Sequence, residues 1–443
     1  MSMVAKVVSV MEKVLGPGLE LLAEQQAVIQ RKRKFTGQSL VRMMVLTLLK
    51  KPDAKVEDLA LTAAQWGVPV SGAAVAKRFT QPLADFLRAC LNWTRPPALA
   101  AEAVPVPLLE RFTAVFLGDS SRIRLPDELQ TEFPGWGGTG DGGLAALKIQ
   151  VRRDLKTGAL PQVLIEVGKA SDAKSPSTHH EPLAGSVEIW DLGYFSWQRF
   201  RRLNAAQAFF LSRWQQGTRV FSEHGPRLKL REFLSQHAVH GVVDVPVQLG
   251  VTERLPCRLL AVRVPEELAN RRRQKAREKA RDHGREASAD DLELWGWSLF
   301  VTHLTAEELT WREALVLSRA RWQIELLFKL WKSHNQWAHR RPGARPAEVL
   351  AVLWAKLRGV ILQHWLLLST VWPDGRRSLW KAARMIRDWI ITLIEALDHH
   401  EQFLRAVTHL KSQLSHVAKI QSRKTQPSHF QLLSNPELLT WGA

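Results

Sequence analysis

The sequence is poor in cysteine and nearly devoid of tyrosine. Its 443 residues include two cysteines, Cys90 and Cys257, which stand far apart and without metal-ligand spacing. A disulfide scaffold and a zinc site are therefore both disfavoured.

Tyr194 is the single tyrosine, so a covalent tyrosine recombinase would have to use it. Its position in a strand-like segment close to Asp191 fits that chemistry poorly.

Long apolar runs are also scarce. The longest, residues 359–372, is interrupted by Gln363 and His364, and it is too short to span a bilayer. Residues 1–22 read as an amphipathic helix with acidic side chains rather than as a signal peptide. These patterns predict a cytoplasmic protein with no membrane partner.

Acidic residues are outnumbered by basic ones. The chain has 62 Lys and Arg against 43 Asp and Glu, a formal net charge of +19. Such an excess indicates a polyanionic partner, most often nucleic acid. Ribosomal proteins and membrane-surface proteins share this bias, so charge alone does not choose between them. The length predicts about two to four domains.

Changes of pattern divide the chain into five predicted segments. Residues 1–104 are helical, 105–224 begin an α/β core, 225–305 are rich in strands, 306–400 complete the core, and 401–443 form a tail with dimerisation as one option. Within the core, an apolar run at 113–117 and alternating patterns at 147–152 and 160–167 predict a three-stranded meander. Another strand is predicted at 186–190.

Two basic regions are candidates for DNA contact. Helices predicted at 56–66 and 72–79 resemble a helix-turn-helix, with Lys77 and Arg78 on the second helix and a basic run at 31–34 before it. The alternative is an ordinary helical hairpin.

The second basic region, residues 270–285, has eight Lys or Arg in sixteen residues. That density can neutralise several phosphates, and Arg271, Arg272, Arg273 and Lys275 are its candidate contacts. The alternative is a solvated basic helix.

Three acidic residues suggest a metal site. Asp119 and Asp191 are each predicted to end an apolar strand, and Glu325 lies on a later helix. Three carboxylates that converge on one sheet edge could hold two Mg²⁺ ions about 3.5–4 Å apart. Taken singly, an aspartate at a strand end is more often a cap or turn residue.

The segment at 318–332 predicts one helix with a charged side. Arg321, Glu325 and Lys332 stand at spacings of four and seven and project from the same side. The opposite side carries residues that can be buried: Ile324, Leu327, Phe328 and Trp331. A surface helix with ion pairs is the simpler alternative.

The order of these motifs resembles the DDE transposases of bacterial insertion sequences. Arg321, Glu325 and Lys332 match three of the four positions in the Tyr-Arg-Glu-Lys signature of the insertion sequence four family, and Ser318 stands at the tyrosine position. The resemblance implies an α/β fold: an RNase H-like mixed-sheet core with a β-rich insertion domain, an all-α N-terminal domain and a helical C-terminal region.

The resemblance also implies a function. A bacterial, nucleoid-associated enzyme would bind inverted-repeat ends as a homodimer, cut double-stranded DNA with two Mg²⁺ ions, for which Mn²⁺ could substitute, and transfer the 3′-OH ends to target DNA. Arg321 and Lys332 would hold phosphates, and Trp295 or Trp297 would stack on a flipped base.

Two other functions compete with this one. A domesticated transposase without catalysis would act as a DNA-binding repressor, although all three acids are present. A nicking enzyme of the paired-histidine kind needs two histidines flanking an apolar residue on a strand, whereas His179 and His180 are adjacent in a predicted loop.

Overall fold

A computed structural model describes most of the chain. The described residues are 1–29, 34–94, 99–137, 143–282, 284–337, 343–372, 374–420 and 427–440. Of the predicted basic run at 31–34, only Lys34 lies within them.

The fold has 18 α-helices and nine strands within the described residues. The helices are α1 (Met3–Val14), α2 (Leu19–Gln25), α3 (Gly37–Lys50), α4 (Val56–Gln65), α5 (Gly72–Ala76), α6 (Gln81–Thr94), α7 (Pro107–Glu110), α8 (Trp197–Ala205), α9 (Leu230–His237), α10 (Glu266–Asp282), α11 (Ala289–Leu294), α12 (Trp311–Ala320), α13 (Trp322–His334), α14 (Pro346–Thr370), α15 (Leu379–Asp388), α16 (Ile390–Ala396), α17 (His400–Val417) and α18 (His429–Ser434). The strands are β1 (Val115–Arg124), β2 (Ala146–Asp154), β3 (Gln162–Val167), β4 (Val187–Trp190), β5 (Phe209–Arg213), β6 (Val220–Ser222), β7 (Val242–Leu249), β8 (Leu255–Arg263) and β9 (Trp297–Thr302).

The chain forms two compact units. Unit 1 contains Met1–Pro105, Ser120–Ala170 and Gln323–Ser422, and unit 2 contains Val106–Asp119, Ser171–Trp322 and Arg423–Ala443. The predicted boundaries at 104, 224, 305 and 400 stay predictions. The N-terminal helices share unit 1 with α14 to α17.

Unit 1 is built around α14. Pro346 is in the first turn of this 25-residue helix, and nearly all of its side chains from Leu350 to Thr370 are buried. Helices α1, α3, α6 and α17 pack against it. The helices predicted at 56–66 and 72–79 form as α4 and α5, with Ser71 capping α5 through a bond from the Ala74 N–H.

Helix α14 contains most of the longest apolar run, residues 359–372, and begins well before it. Among the described residues it is the one helix whose length and composition would allow it to cross a membrane, and 89% of its most apolar window is buried inside the protein. The burial is that of a core helix. The cytoplasmic location stays a prediction.

Unit 1 also contains the predicted hairpin of β2 and β3. These strands pair antiparallel, with Leu147 opposite Val167 and Arg152 opposite Gln162. Every residue of β2 is buried, including Lys148, whose Nζ donates to the carbonyl of Ala170.

Unit 2 has a sheet in the order β1-β4-β5-β9-β8-β7-β6. Strands β1, β4 and β5 pair in parallel, and the pairs from β5 onward are antiparallel. The strands expected in a β-rich insertion thus continue the sheet of the core through β9. Phe200, Phe210, Leu259 and Val301 pack in the core against this sheet. The predicted mixed α/β fold class is confirmed.

The predicted end of the first strand is wrong. Asp119 was expected to follow a strand, but β1 continues through it to Arg124. What ends near Asp119 is the parallel pairing with β4, whose last partners are Gly118 and Trp190. An apolar run marks where a strand is buried, and it does not mark where a partner strand stops.

Candidate active site

Two aspartates leave paired strands side by side in unit 2. Gly118 on β1 stands opposite Trp190 on β4, so the next residue on each strand is Asp119 and Asp191. Neighbouring strands lie about 4.8 Å apart. Because equivalent positions on parallel strands point to the same face, the two carboxylates start from adjacent points on one side of the sheet.

Gly118 is required for this arrangement. A Cβ atom built on Gly118 would lie 2.1 Å from Cδ2 of Trp190. The Trp190 ring therefore packs directly over the backbone of β1, on the face opposite the two aspartates. Any larger residue at 118 would force the Trp190 ring or the β1 backbone to move.

Arg321 bridges the two carboxylates. Its Nη1 lies 3.2 Å from Oδ2 of Asp119, and its Nη2 lies 3.8 Å from Oδ1 of Asp191. The Asp119 side chain is 17% exposed and that of Asp191 is 45% exposed. One guanidinium thus balances the negative charge of both aspartates, which would otherwise repel each other.

Arg321 stands between two helices. Helix α12 ends at Ala320 and α13 begins at Trp322, so the single helix predicted over 318–332 is wrong. The torsion angles of Arg321, φ −52° and ψ −33°, are helical. Periodicity could not reveal this break, because the side-chain directions hardly change while the regular hydrogen bonding restarts.

The start of α12 is anchored within unit 2. Thr310 and Glu313 form a capping box, and Arg111 donates to both Glu313 oxygens, at 3.1 and 2.5 Å. Burial alone would raise the pKa of Glu313, but the hydrogen bonds from Arg111 and Thr310 outweigh it and lower that pKa. A charged Glu313 therefore ties α12 to the segment that leads into β1.

Helix α13 has the predicted amphipathic character. Ile324, Leu327, Phe328 and Trp331 are all buried. Glu325 lies in its first turn and is half-buried, while Lys332 is exposed in the last turn. Both belong to unit 1, and their convergence with the two aspartates stays a prediction.

The aspartate pair suits a divalent cation. No group of three or more His, Cys, Asp or Glu side chains is arranged to hold an ion in the described parts of the chain. Asp119 and Asp191 nevertheless supply the hard oxygen donors that Mg²⁺ prefers. The guanidinium at their junction shows that a positive charge is favoured there. The oxygen donors of Asp119 and Asp191 therefore suit the predicted Mg²⁺.

Comparison with known proteins decides the family. The family described as "Transposase DDE domain" matches residues 110–357, more than half of the chain. The chain belongs to the DDE transposase family. The RNase H-like core expected from the order of the motifs is thereby confirmed, and the matched region includes both aspartates, Arg321 and Glu325.

Relatives cover most of the chain. The transposase for insertion sequence element IS231F of Bacillus thuringiensis subsp. israelensis is 24% identical over 434 residues, spanning 92% of this chain and 89% of the relative. The transposase for insertion sequence element IS1151 of Clostridium perfringens is 23% identical over 341 residues and spans 70% of each chain. The resemblance to transposases of bacterial insertion sequences is confirmed.

In this DDE transposase, the basic residues predicted to touch DNA differ in their contacts. Arg271 pairs with Glu267 at 2.6 Å, and Arg272 donates to the carbonyl of Trp297 at 3.2 Å. Burial, aided by Arg213, lowers the pKa of Arg272. Arg273 donates to the carbonyl of Leu292, whereas Lys275 is exposed. Arg272 and Arg273 thus help attach α10 to its surroundings.

The aromatic and N-terminal candidates also differ. Trp295 is 37% exposed, but Trp297 packs against a core cluster formed by Leu234, Val243 and Ala261. Their roles in base stacking stay predictions.

Lys77 is exposed just after α5, and the Arg78 guanidinium lies 5.3 Å from the centre of the Phe35 ring. Part of the Arg78 side chain is therefore engaged within unit 1. Its predicted contact with DNA, like that of Lys77, stays a prediction.

Sequence reasoning did not single out the exposed aromatic residue next to Arg321. Trp322 follows Arg321 directly and its side chain is 50% exposed. In a chain with 18 tryptophans, composition could not distinguish it from those in the core. Its position directly after Arg321, a residue of the signature, is the feature of the sequence that could have identified it.

Proposed function

We propose that this chain is a metal-dependent transposase that binds the inverted-repeat ends of an insertion sequence, cleaves their phosphodiester bonds and transfers the 3′-OH ends to target DNA in a cut-and-paste reaction. The observation that carries the proposal is the register that brings Asp119 and Asp191 together under Arg321. Membership of the DDE transposase family and the names of the relatives support it.

The acids would hold the metal. Asp119 and Asp191, with Glu325 as the third ligand, would bind two Mg²⁺ ions, with Mn²⁺ as a substitute. When bound, the ions activate the attacking oxygen and stabilise the leaving oxygen of an in-line displacement. Arg321 would then exchange its carboxylate partners for a phosphate of the transposon end, since a guanidinium binds either anion.

Other residues would hold the DNA. Lys332, Lys77 and Arg78 are exposed or partly exposed cations, and they would contact phosphates. The exposed Trp295 and Trp322 offer flat surfaces on which a base can stack. Because two transposon ends must be joined in one reaction, the active form would be a homodimer that holds both ends.

Cleavage of the ends that flank this reading frame tests the proposal. The wild-type protein should nick such DNA in Mg²⁺ and not in EDTA. Asp119→Asn and Asp191→Asn should each lower the single-turnover rate by at least about 100-fold, because an amide is a poorer Mg²⁺ ligand than a carboxylate. Affinity for the same DNA, measured by fluorescence anisotropy without metal, should change little.

Asp244→Asn provides the control. Asp244 is bound to Arg258 in unit 2 and is not part of the proposed site, so this variant should nick at the wild-type rate at a temperature where it is folded. Full nicking activity in Asp119→Asn would contradict the proposal. Tight end binding by the wild-type protein, without cleavage in either Mg²⁺ or Mn²⁺, would support a transposase-derived repressor instead.

A further inference from the structure

A buried carboxylate lies three positions before Asp191 on β4. The side chain of Glu188 has no solvent exposure, and three donors converge on it. Its Oε1 lies 2.9 Å from Nε2 of His180, and its Oε2 accepts from Nη2 of Arg199 at 3.4 Å and from Nε1 of Trp190. A buried carboxylate persists only when it is paired and hydrogen-bonded, so Glu188 fixes the positions of these three groups.

The Trp190 ring is held from several directions. Gly118 leaves room for the ring on one side, and the Arg199 guanidinium lies 4.1 Å from the ring centre. Glu188 holds the indole N–H. Glu188 therefore accepts from both the indole N–H and the arginine that lies over the same ring.

Asp191 is held on both sides by this cluster. Trp190 precedes it directly. Tyr194, three residues later, donates its backbone N–H to the carbonyl of Asp191 at 3.0 Å, and the centres of the Tyr194 and Trp190 rings lie 4.8 Å apart in an edge-to-face contact. Tyr194 is 1% exposed, so the single tyrosine of the chain has a packing contact here. Movement of the Trp190 ring would therefore shift Asp191 relative to Asp119.

We propose that Glu188 is a positioning residue for the metal-binding aspartates: through Trp190, it sets the spacing of Asp119 and Asp191. The inference rests on the proposed function, in which those two carboxylates share a metal. It assigns Glu188 no contact with metal or DNA. Its effect passes through the register of Gly118 and Trp190.

Calorimetric titration of Mn²⁺ into the DNA-free protein tests this assignment. Glu188→Gln keeps the size and one acceptor oxygen but removes the charge that binds Arg199. We expect its Mn²⁺ dissociation constant to rise by about 10-fold, the lower end of the effects of residues behind metal ligands. Trp190→Phe, which loses the indole N–H and keeps a flat ring, should weaken Mn²⁺ binding in the same direction.

Cleavage assays separate positioning from loss of folded protein. In Glu188→Gln, the Mn²⁺ concentration for half-maximal cleavage should rise by a similar factor, and saturating Mn²⁺ should restore the full amplitude. Asp244→Asn removes another partly buried acid that is paired with an arginine of unit 2. It should leave both Mn²⁺ constants unchanged even if it lowers the melting temperature equally.

The possible outcomes are distinguishable. Wild-type Mn²⁺ affinity in both Glu188→Gln and Trp190→Phe would overturn the positioning role while leaving the proposed function intact. A reduced cleavage amplitude with an unchanged Mn²⁺ constant would also overturn it, because that pattern reports partial unfolding. Failure of the wild-type protein to cleave its own ends would instead count against the proposed function.

Discussion

At the residue scale, Arg321 contacts the two carboxylates that are proposed to bind metal. Its guanidinium lies close to both Asp119 and Asp191. A divalent cation held by the same oxygens would compete with the guanidinium, because both cations bind the same two carboxylates. Metal binding should therefore release Arg321, and a released guanidinium beside the metal is well suited to bind the scissile strand.

Replacing Arg321 should tighten metal binding and impair cleavage. Arg321→Gln removes a cation that competes for the two carboxylates, so the dissociation constant for Mg²⁺ in the DNA-free protein should fall by about 2- to 5-fold, as expected for the loss of a partly exposed ion pair. Isothermal titration calorimetry measures this constant directly. Cleavage should become slower despite the tighter metal.

Arg312→Gln is the matched control for this measurement. Arg312 lies on α12 and pairs with Glu437 at 3.4 Å, so its loss should leave the Mg²⁺ constant unchanged. Weaker Mg²⁺ binding by Arg321→Gln would mean that the arginine supports the metal site rather than competing for it.

At the scale of an element, α10 is unusual because almost none of it is buried. In this 17-residue helix the one buried residue is Ala269. Arg271 and Arg273 are paired with Glu267 and Glu266, respectively. A helix that is polar all round is commonly stabilised by ion pairs along its surface.

The remaining cations of α10 form an exposed basic surface of the kind that a DNA backbone can contact. Lys275, Arg277, Lys279 and Arg281 are all exposed. The adjacent acid Glu278 accepts from Gln274 at 3.0 Å. We expect these four residues, more than Arg272 and Arg273, to contact phosphates.

The salt dependence of DNA binding tests this surface. The double variant Arg277→Gln and Arg281→Gln should weaken end binding and reduce the slope of log K against log[salt] by about 0.9 for each phosphate that is no longer neutralised. The measurement is anisotropy with labelled end DNA over a range of NaCl concentrations.

A control pair with the same charge change is available on α17. Arg405 and Lys411 are exposed there. Their replacement by Gln should leave the slope at its wild-type value. Equal slopes for all three proteins would show that α10 is a solvated helix.

Across the whole molecule, the sequence predicted element types better than element ends. Alternation and apolar periodicity correctly predicted the β2–β3 hairpin and helices α4 and α5 because side-chain burial repeats with the backbone period. The continuation of β1 through Asp119 and the break at Arg321 escaped prediction. The first depends on a partner strand distant in sequence, and the second changes hydrogen bonding without changing the pattern of side chains.

The residues of the candidate site could be named from the sequence, but their geometry could not. Asp119, Asp191 and Arg321 were identified from motifs, yet only the register of Gly118 opposite Trp190 explains why the two aspartates are neighbours. Nothing in the sequence indicated that Glu188 positions the aspartates, because an acidic residue within an apolar strand is ordinarily predicted to face solvent. Its buried partners come from a loop at His180 and a helix at Arg199.

A change of metal preference tests most directly whether Asp119 and Asp191 are ligands of the same catalytic metal site. A thiolate favours softer ions than Mg²⁺. Asp119→Cys should therefore lose at least about 100-fold in cleavage rate with Mg²⁺ and recover about 10-fold or more when Mn²⁺ replaces it. The measurement is the single-turnover rate on flanking-end DNA, with the wild-type ratio of Mn²⁺ to Mg²⁺ rates as reference. The same ratio in Asp119→Cys as in the wild-type protein would contradict the account.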